Sequence, residues 1–255
     1  MRALTKISQG LFKQCLLICS LALLSFSALA EGLSATEIQA ALNNPGRSDE
    51  DKARDAGRKP AQVLEFLGLQ KGMTVLDVAA SGGWYTEVLA LAVGPEGKVY
   101  AQNAPAFLQY RDGFYDKAIS EKLKLKHLGN AQRLDAEFTD MGIDGKVDLA
   151  ITALNLHDVY NRSPEAGVGM LKGIYAALKP GGVLGVIDHN GVEGADNARL
   201  HRMTMQQAIA AAEQAGFSVD VSNLLRNDTD DHTQGVFGDI RGGTDRFLLK
   251  LTKPL

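Results

Sequence analysis

Hydrophobic residues along this chain fall into short apolar runs separated by segments of helical periodicity. Seven runs rich in aliphatic and β-branched residues predict strands, at 74–78, 98–102, 132–134, 147–154, 183–188, 218–224 and 246–252. The segments between them predict helices over 60–67, 84–93 and 198–215, and a further helix that begins after Ser163-Pro164. That last helix has an apolar face of Leu171, Ile174, Tyr175 and Leu178.

Strands that alternate with helices indicate a parallel sheet covered on both faces. The final two strands follow one another without a helix, which favours an antiparallel pair at the end of the chain. We therefore predict an α/β fold with a doubly wound, seven-stranded, mostly parallel sheet and an antiparallel last strand.

The first thirty residues differ from the rest and predict a secretory signal peptide. Three basic residues precede an apolar run from Cys15 to Leu24, and Ala28-Leu29-Ala30 gives a small-residue cleavage pattern before Glu31. We expect an exported, periplasmic protein with no stable membrane anchor after cleavage. Residues 31–59 are polar and predict an arm with a short helix near 48–55, followed by one domain over 60–255.

Cleavage after residue 30 changes both the cysteine content and the net charge. It removes Cys15 and Cys19, the only cysteines in the chain, so the mature protein contains no thiol and no disulfide. Losing three basic residues and no acidic residue takes the formal net charge from −3 to −6. An acidic protein is a poor partner for nucleic acid, and we expect none.

The turn after the first strand predicts a nucleotide pocket. Asp77 ends an apolar strand, and a run of small residues then leads through Gly82-Gly83 into a helix. Small residues allow close approach of a ligand to the backbone, and the first N–H groups of a helix carry partial positive charge.

Five such landmarks, in order, resemble the class I S-adenosylmethionine-dependent methyltransferases over residues 60–254. They are the Asp77 turn, Asp135-Ala136 after the third strand, 148–151 with Asn155-Leu156-His157-Asp158, Lys179-Pro180-Gly181-Gly182 before the fifth strand, and Ala215-Gly216-Phe217 before the sixth. Arg54-Asp55-Ala56-Gly57-Arg58-Lys59-Pro60 and Asp230-Asp231-His232 further resemble a group of predicted exported bacterial methyltransferases. The resemblance implies a Rossmann-like fold and S-adenosylmethionine as cofactor.

The resemblance also implies which residues bind the cofactor. They are Asp77, Ala79, Ser81, Gly82, Gly83, Tyr85, Gln102, Asn103, Asp135, Ala136 and Asn155. This chain departs from the family at two places. Ala79 and Ser81 stand where glycine is usual, and alanine follows the same path only if its φ is negative, while the Ser81 hydroxyl would donate to the ligand. Gln102 and Asn103 stand where an acidic residue usually accepts from the ribose hydroxyls.

Three histidines follow strands and are predicted at the carboxyl edge of the sheet. His157 follows strand four, His189 follows strand five, and His232 lies between strands six and seven. We expect His157 with Asp158, or His189, to act as a general base on the methyl acceptor. A divalent metal bound by Asp158, Asp188, His189, Asp230, Asp231 and His232 is an alternative, but no HxxH or HExxH spacing supports it, and we predict no metal.

The sequence thus favours S-adenosylmethionine-dependent methyl transfer to a small molecule or exposed nucleophile. S-Adenosylmethionine is made in the cytosol, and a charged donor does not cross a bilayer freely. A non-catalytic, periplasmic ligand-binding protein on a methyltransferase scaffold is therefore the alternative. The sequence does not identify the acceptor or the oligomeric state.

Overall fold

A computed structural model of the chain describes residues 32–240 and 242–255. The predicted signal peptide lies outside the described residues. Within the described ranges, no helix combines the length and apolar character needed to cross a bilayer.

The sheet has seven strands in the order β3-β2-β1-β4-β5-β7-β6. β1 to β5 are parallel, and β7 runs antiparallel to both β5 and β6. This confirms the predicted fold class. The strands are β1 (Thr74–Val78), β2 (Lys98–Asn103), β3 (Ala131–Asp135), β4 (Val147–Ala153), β5 (Leu178–His189), β6 (Ser218–Ser222) and β7 (Arg246–Thr252).

Helices cover both faces of the sheet, as predicted for a doubly wound fold. They are α1 (Ala35–Leu42), α2 (Asp49–Ala53), α3 (Asp55–Arg58), α4 (Pro60–Leu67), α5 (Trp84–Val93), α6 (Pro105–Leu108), α7 (Tyr110–Lys122), α8 (Leu156–Arg162), α9 (Pro164–Ala177), α10 (Asn197–Leu200) and α11 (Met205–Gln214). One apolar cluster lies between the sheet and α9 and α11. A second contains buried residues of α1, α4 and α5, and a third, smaller one consists of Ala80, Ala101, Leu108 and Ile119.

The segment before Pro60 contributes to the core. A capping box between Ser34 and Glu37 begins α1, and Ile38 and Leu42 on its inner face are fully buried. The described residues of this segment belong to the same compact unit as the rest of the described chain. The hydropathy pattern does not predict α1, because it offers only these two large apolar residues one turn apart.

The single helix predicted over 198–215 is wrong. The chain leaves α10 at His201, whose φ is +51°, and Thr204 then caps α11 through its own capping box with Gln207. A left-handed residue interrupts the helical hydrogen-bond ladder. As a result His201 lies at the carboxyl edge of the sheet and not on a long helix.

Candidate active site

The carboxyl ends of β1 and β4 meet where the strand order reverses. β2 and β3 continue to one side of this point, and β5, β7 and β6 continue to the other. Open α/β sheets bind ligands in the crevice at such a switch point. The loop from β1 to α5 and the start of α8 both border it.

The loop from β1 to α5 contains two non-glycine residues in the left-handed region. Ala79 has a φ of +53° and Ser81 a φ of +54°, so the condition of a negative φ at Ala79 is not met. Each such residue costs on the order of 1 kcal/mol. The Ser81 hydroxyl donates to the carbonyl of Ala79 at 3.3 Å, and its donation to a ligand stays a prediction.

Gln102 and Asn103 hold this loop in place. The Ala79 N–H donates to Oε1 of Gln102 at 3.0 Å, and the Ser81 N–H donates to Oδ1 of Asn103 at 2.8 Å. Nε2 of Gln102 also donates to the carbonyl of Ala136 at 2.7 Å. Both amides are fully buried. In this conformation their hydrogen bonds are made with the backbone, and ribose binding by these two residues stays a prediction.

Asp77 is also turned inward. Its Oδ2 accepts from the Thr86 hydroxyl at 2.6 Å, which ties the end of β1 to the first turn of α5. Burial raises the pKa of Asp77 to about 7, against hydrogen bonds from Thr86 that favour the charged form. Asp77 thus stabilises the loop by joining the two elements on either side of it, β1 and α5.

The other predicted cofactor residues lie along the same edge. Asp135, at the end of β3, accepts from Arg133 in a two-bond pair. Asn155 donates to the carbonyl of Ala153 at 2.8 Å and begins α8. Gly83 has a φ of +84°, and a Cβ there would lie 2.8 Å from Cδ1 of Ile119.

A small cavity of about 10 Å³ lies between the ends of β4 and β5. Its walls are apolar, formed by Ala153, Leu154, Ile187 and Leu225, and its polar groups come from Arg58, Tyr85 and Arg246. The volume equals the space for about one water molecule.

The Tyr85 hydroxyl at this cavity is buried and has no hydrogen-bond partner among the described residues. Buried Arg246 donates to Thr244 and to the carbonyl of Gly57, and no carboxylate in the described ranges forms an ion pair with it. Burial lowers the pKa of Arg246 and raises that of Tyr85. A buried cation beside an unpaired hydroxyl favours an anionic ligand group.

His157 lies between two carboxylates. Its Nδ1 donates to Oδ1 of Asp188 at 2.6 Å, and its Nε2 lies 3.3 Å from Oδ1 of Asp158. Burial disfavours the charged imidazole, but the charge of Asp188 and the hydrogen bonds to both carboxylates outweigh it and raise the pKa of His157 to about 10. His157 is therefore protonated at neutral pH, which corrects its predicted role as a general base.

His189 has the opposite protonation state, although its ring centre lies 5.9 Å from that of His157. Burial, followed by the charges of His157 and Arg246, lowers the pKa of His189 to about 2. Nε of Arg246 donates to Oγ1 of Thr244 at 3.1 Å, which leaves the Thr244 proton for Nδ1 of His189 at 2.8 Å. This imidazole is neutral and a very weak base.

The acidic loop considered as a metal site forms internal ion pairs. Both oxygens of Asp230 accept from buried Arg202, and His232 contacts Oδ2 of Asp245 at 3.0 Å. Asp188 contacts His157, so the structure does not bring Asp188, Asp230 and His232 together. Sequence reasoning missed Arg246 and the role of His201. Arg246 begins β7 directly after Thr244-Asp245, but nothing local in the sequence shows which way these side chains face.

Comparisons with known proteins agree with this architecture. Residues 43–109 match the family model of the protein-L-isoaspartate(D-aspartate) O-methyltransferases. The chain is similar to a S-adenosylmethionine-dependent methyltransferase structure from Aquifex aeolicus, with a TM-score of 0.59 and 23% identity over 86% of this chain and 98% of that one. The chain therefore shares the fold of this solved methyltransferase.

Two curated methyltransferases match shorter parts of the chain. A demethylmenaquinone methyltransferase from Geobacillus stearothermophilus is 30% identical over 122 residues, which cover 48% of this chain and 47% of that protein. A ribosomal RNA large subunit methyltransferase E from Myxococcus xanthus is 30% identical over 90 residues, which cover 35% and 39%. The chain thus spans less than half the length of these relatives.

The cofactor of the class I methyltransferases is S-adenosylmethionine, and the cleft fits one end of it. The unpaired Tyr85 hydroxyl and the buried Arg246 guanidinium match the donor's carboxylate in charge and hydrogen bonding. At the ribose end, Gln102 and Asn103 offer amide oxygens and nitrogens that now bind the loop. The residues present therefore fit the donor, provided that the amides of Gln102 and Asn103 release the N–H groups of Ala79 and Ser81 and bind the ribose hydroxyls instead.

Proposed function

We propose that this protein transfers a methyl group from S-adenosylmethionine to a small molecule or an exposed nucleophile. The observation that carries the proposal is the buried, unpaired Tyr85 hydroxyl at a cavity that Arg58 and Arg246 also line. This cavity lies beside the loop from β1 to α5, at the switch point of a class I methyltransferase fold. An amino-acid carboxylate is the donor group that needs such a site.

The proposal assigns a role to each group along the edge. Arg58, Arg246 and Tyr85 hold the donor's carboxylate. Gln102 and Asn103 hold its ribose, and Asp135 with Ala136 holds its adenine. When bound, the donor supplies an electrophilic methyl group on a positively charged sulfur. The acceptor's lone pair forms the new bond to carbon as the carbon–sulfur bond breaks, and the electron pair of that bond stays on sulfur.

In this proposal the protein contributes to the reaction by holding the donor and the acceptor in position relative to each other. In-line alignment of donor and acceptor supplies much of the rate of a methyl transfer. Neither His157, which is protonated, nor His189, which is a very weak base, has a pKa near neutrality. The proposal therefore contains no general base, and it favours acceptors that are nucleophilic without deprotonation.

A carboxylate-specific binding experiment tests the proposal. Calorimetry of the chain lacking residues 1–30 should show saturable binding of S-adenosylmethionine and S-adenosylhomocysteine. Arg58→Gln should weaken S-adenosylhomocysteine about tenfold or more but leave 5′-methylthioadenosine, which lacks the amino-acid part, nearly unchanged. Arg199→Gln, an exposed arginine in α10, is the matched control. Absence of binding by either donor form, or equal losses for both ligands, would refute the assignment.

The second candidate function is non-catalytic ligand binding in the same cleft. The cavity lined by Tyr85 and Arg246 has a volume of only about 10 Å³, which favours a smaller ligand than the whole donor. Calorimetry separates the two functions, because a protein that binds carboxylates such as L-methionine but neither donor form supports this candidate.

We also propose export to the periplasm with removal of residues 1–30. The basic start, the short apolar run and Ala28-Leu29-Ala30 support this proposal. Cell fractionation followed by N-terminal sequencing tests it. A mature chain that begins at Glu31 in the periplasmic fraction is expected, and an intact Met1 in the cytosol would overturn it.

A further inference from the structure

A group of metal-ligating side chains lies at the carboxyl edge apart from the loop proposed to bind the donor. His157 and Asp158 come from the first turn of α8, and His201 comes from the end of α10. One ligand atom of each lies within 4.8 Å of the others. His201 is 43 positions from Asp158 in the sequence, so only the fold brings the three together.

The distances between the donor atoms suit a small, four-coordinate ion. Oδ1 of Asp158 lies 3.3 Å from Nε2 of His157 and 2.9 Å from Nδ1 of His201. Zinc bonds of about 2.0–2.1 Å in a tetrahedral arrangement place ligand atoms roughly 3.3 Å apart. The two distances to Asp158 are close to this separation, and the two histidine nitrogens, which lie within 4.8 Å of each other, would have to come to a similar distance to bind one ion.

A further carboxylate orients the first ligand. Nδ1 of His157 donates to Oδ1 of buried Asp188, and Oδ2 of Asp188 accepts from the His157 backbone N–H at 2.9 Å. These two hydrogen bonds fix the orientation of the imidazole ring, so that Nε2 faces Asp158 and His201. Histidines that bind metals almost always donate their other ring N–H to such a partner, which increases their basicity as ligands.

The burial of the ligands provides an entry path. His157 is buried, whereas the Asp158 side chain is 54% exposed and that of His201 is 39% exposed. The ring of Phe237 lies 4.8 Å from that of His201 and covers one side of it. Three protein ligands with access to solvent leave a position for water or for a substrate atom, as in catalytic zinc sites.

We propose that His157, Asp158 and His201 bind a divalent transition-metal ion of the zinc class, oriented by Asp188. Binding of the ion would displace the Nε2 proton of His157. Two imidazoles and one carboxylate then form a ligand set suited to zinc, cobalt or nickel and poorly suited to calcium or magnesium. The ion would polarise an oxygen or nitrogen at its open position. This site does not depend on methyl-donor binding, so either proposal can fail without the other.

Cobalt titration of the chelator-treated chain lacking residues 1–30 tests the site. One equivalent of Co²⁺ should produce visible absorption bands of tetrahedral or five-coordinate cobalt, and added Zn²⁺ should remove them. Magnesium should not compete. Absence of these bands, or a metal stoichiometry well below one, would overturn the proposal and leave the three side chains as an ion-pair network.

Variants locate the ion. His201→Asn and Asp158→Asn should each lower Co²⁺ affinity by about 100-fold or more, and asparagine suits the left-handed backbone at position 201. His232→Ala, in the neighbouring acidic loop, and Glu193→Gln, an exposed residue, are the controls. Circular dichroism checks that each variant folds. Unchanged cobalt affinity in folded His201→Asn, or loss only in His232→Ala, would place the ion elsewhere and refute the proposal.

Discussion

Nδ1 of His157 donates to Oδ1 of Asp188 across 2.6 Å, in the buried edge where β5 ends and α8 begins. The pair ties a helix start to a strand end and keeps the imidazole charged. Its neighbour His189 stays neutral because burial and nearby cations oppose a second charge. Two histidines with ring centres 5.9 Å apart therefore differ in protonation at neutral pH.

The charged His157 makes stability depend on pH. Its pKa is about 10 in the folded protein, above the unfolded value of about 6.5. The stabilisation is thus fully present below about pH 6.5 and is lost as the pH rises toward about 10. Denaturant unfolding in the presence of a chelator, at pH 6 and pH 9, should show a smaller difference between wild type and His157→Gln at the higher pH. A constant difference would contradict the assignment.

Gln102 should stabilise the loop from β1 to α5. Gln102→Ala leaves the Ala79 N–H and the Ala136 carbonyl without their partner. Leaving these two part-buried backbone groups without a partner should lower the free energy of unfolding by about 1–3 kcal/mol. Gln214→Ala, at the exposed end of α11, should change it by less than about 0.5 kcal/mol. Similar losses for the two variants would show that the amide does not hold the loop.

Ala79→Gly should behave unlike an ordinary alanine-to-glycine change. Glycine removes the left-handed strain at position 79, which offsets its extra entropy in the unfolded chain. We expect a change between zero and about 1 kcal/mol of added stability. Ala210→Gly, exposed within α11, should cost about 1 kcal/mol. Thermal unfolding of both variants measures the contrast, and an equal loss would mean that Ala79 is unstrained.

Position 83 requires glycine for two reasons: the backbone there has a positive φ, and side chains of α7 leave no room for a Cβ. Gly83→Ala would place a Cβ 2.8 Å from Cδ1 of Ile119 and 3.0 Å from Cγ of Lys122, at a φ of +84°. Gly72 has a φ of +78° with no atom within 4 Å of such a Cβ. We expect a loss of about 1–2 kcal/mol for Gly72→Ala and about 2–4 kcal/mol for Gly83→Ala in denaturant unfolding. Equal losses would mean that α7 moves away at little cost.

Tyr85→Phe should raise stability and lower donor affinity. The hydroxyl is buried without a partner, so its removal should add up to about 1 kcal/mol to the free energy of unfolding. The same change should weaken S-adenosylhomocysteine binding about tenfold, measured by calorimetry, if the hydroxyl binds the carboxylate. Tyr110→Phe, at an exposed tyrosine, should alter neither quantity. Unchanged affinity in Tyr85→Phe would remove this hydroxyl from the proposed site.

Local sequence signals predicted the succession of strands and helices along the chain. Apolar runs and helical periodicity are properties of neighbouring residues, so they can be recognised without knowledge of distant contacts. The strand at 74–78 and the helix at 84–93 agree with the structure residue for residue. The break at His201 could not be predicted in this way, since the apolar and alanine-rich pattern around it continues as though one helix were present. The structure places a left-handed turn there.

The sequence by itself determined the α/β class and the seven-stranded, mostly parallel sheet, since strand period and turn chemistry are local properties. Only the tertiary structure decided that Gln102 and Asn103 bind the loop and that His157 is charged while His189 is neutral. It also decided that His201 meets Asp158. Each depends on burial and on partners from distant segments, because the direction of a side chain and the stability of its charge are set by the atoms packed around it.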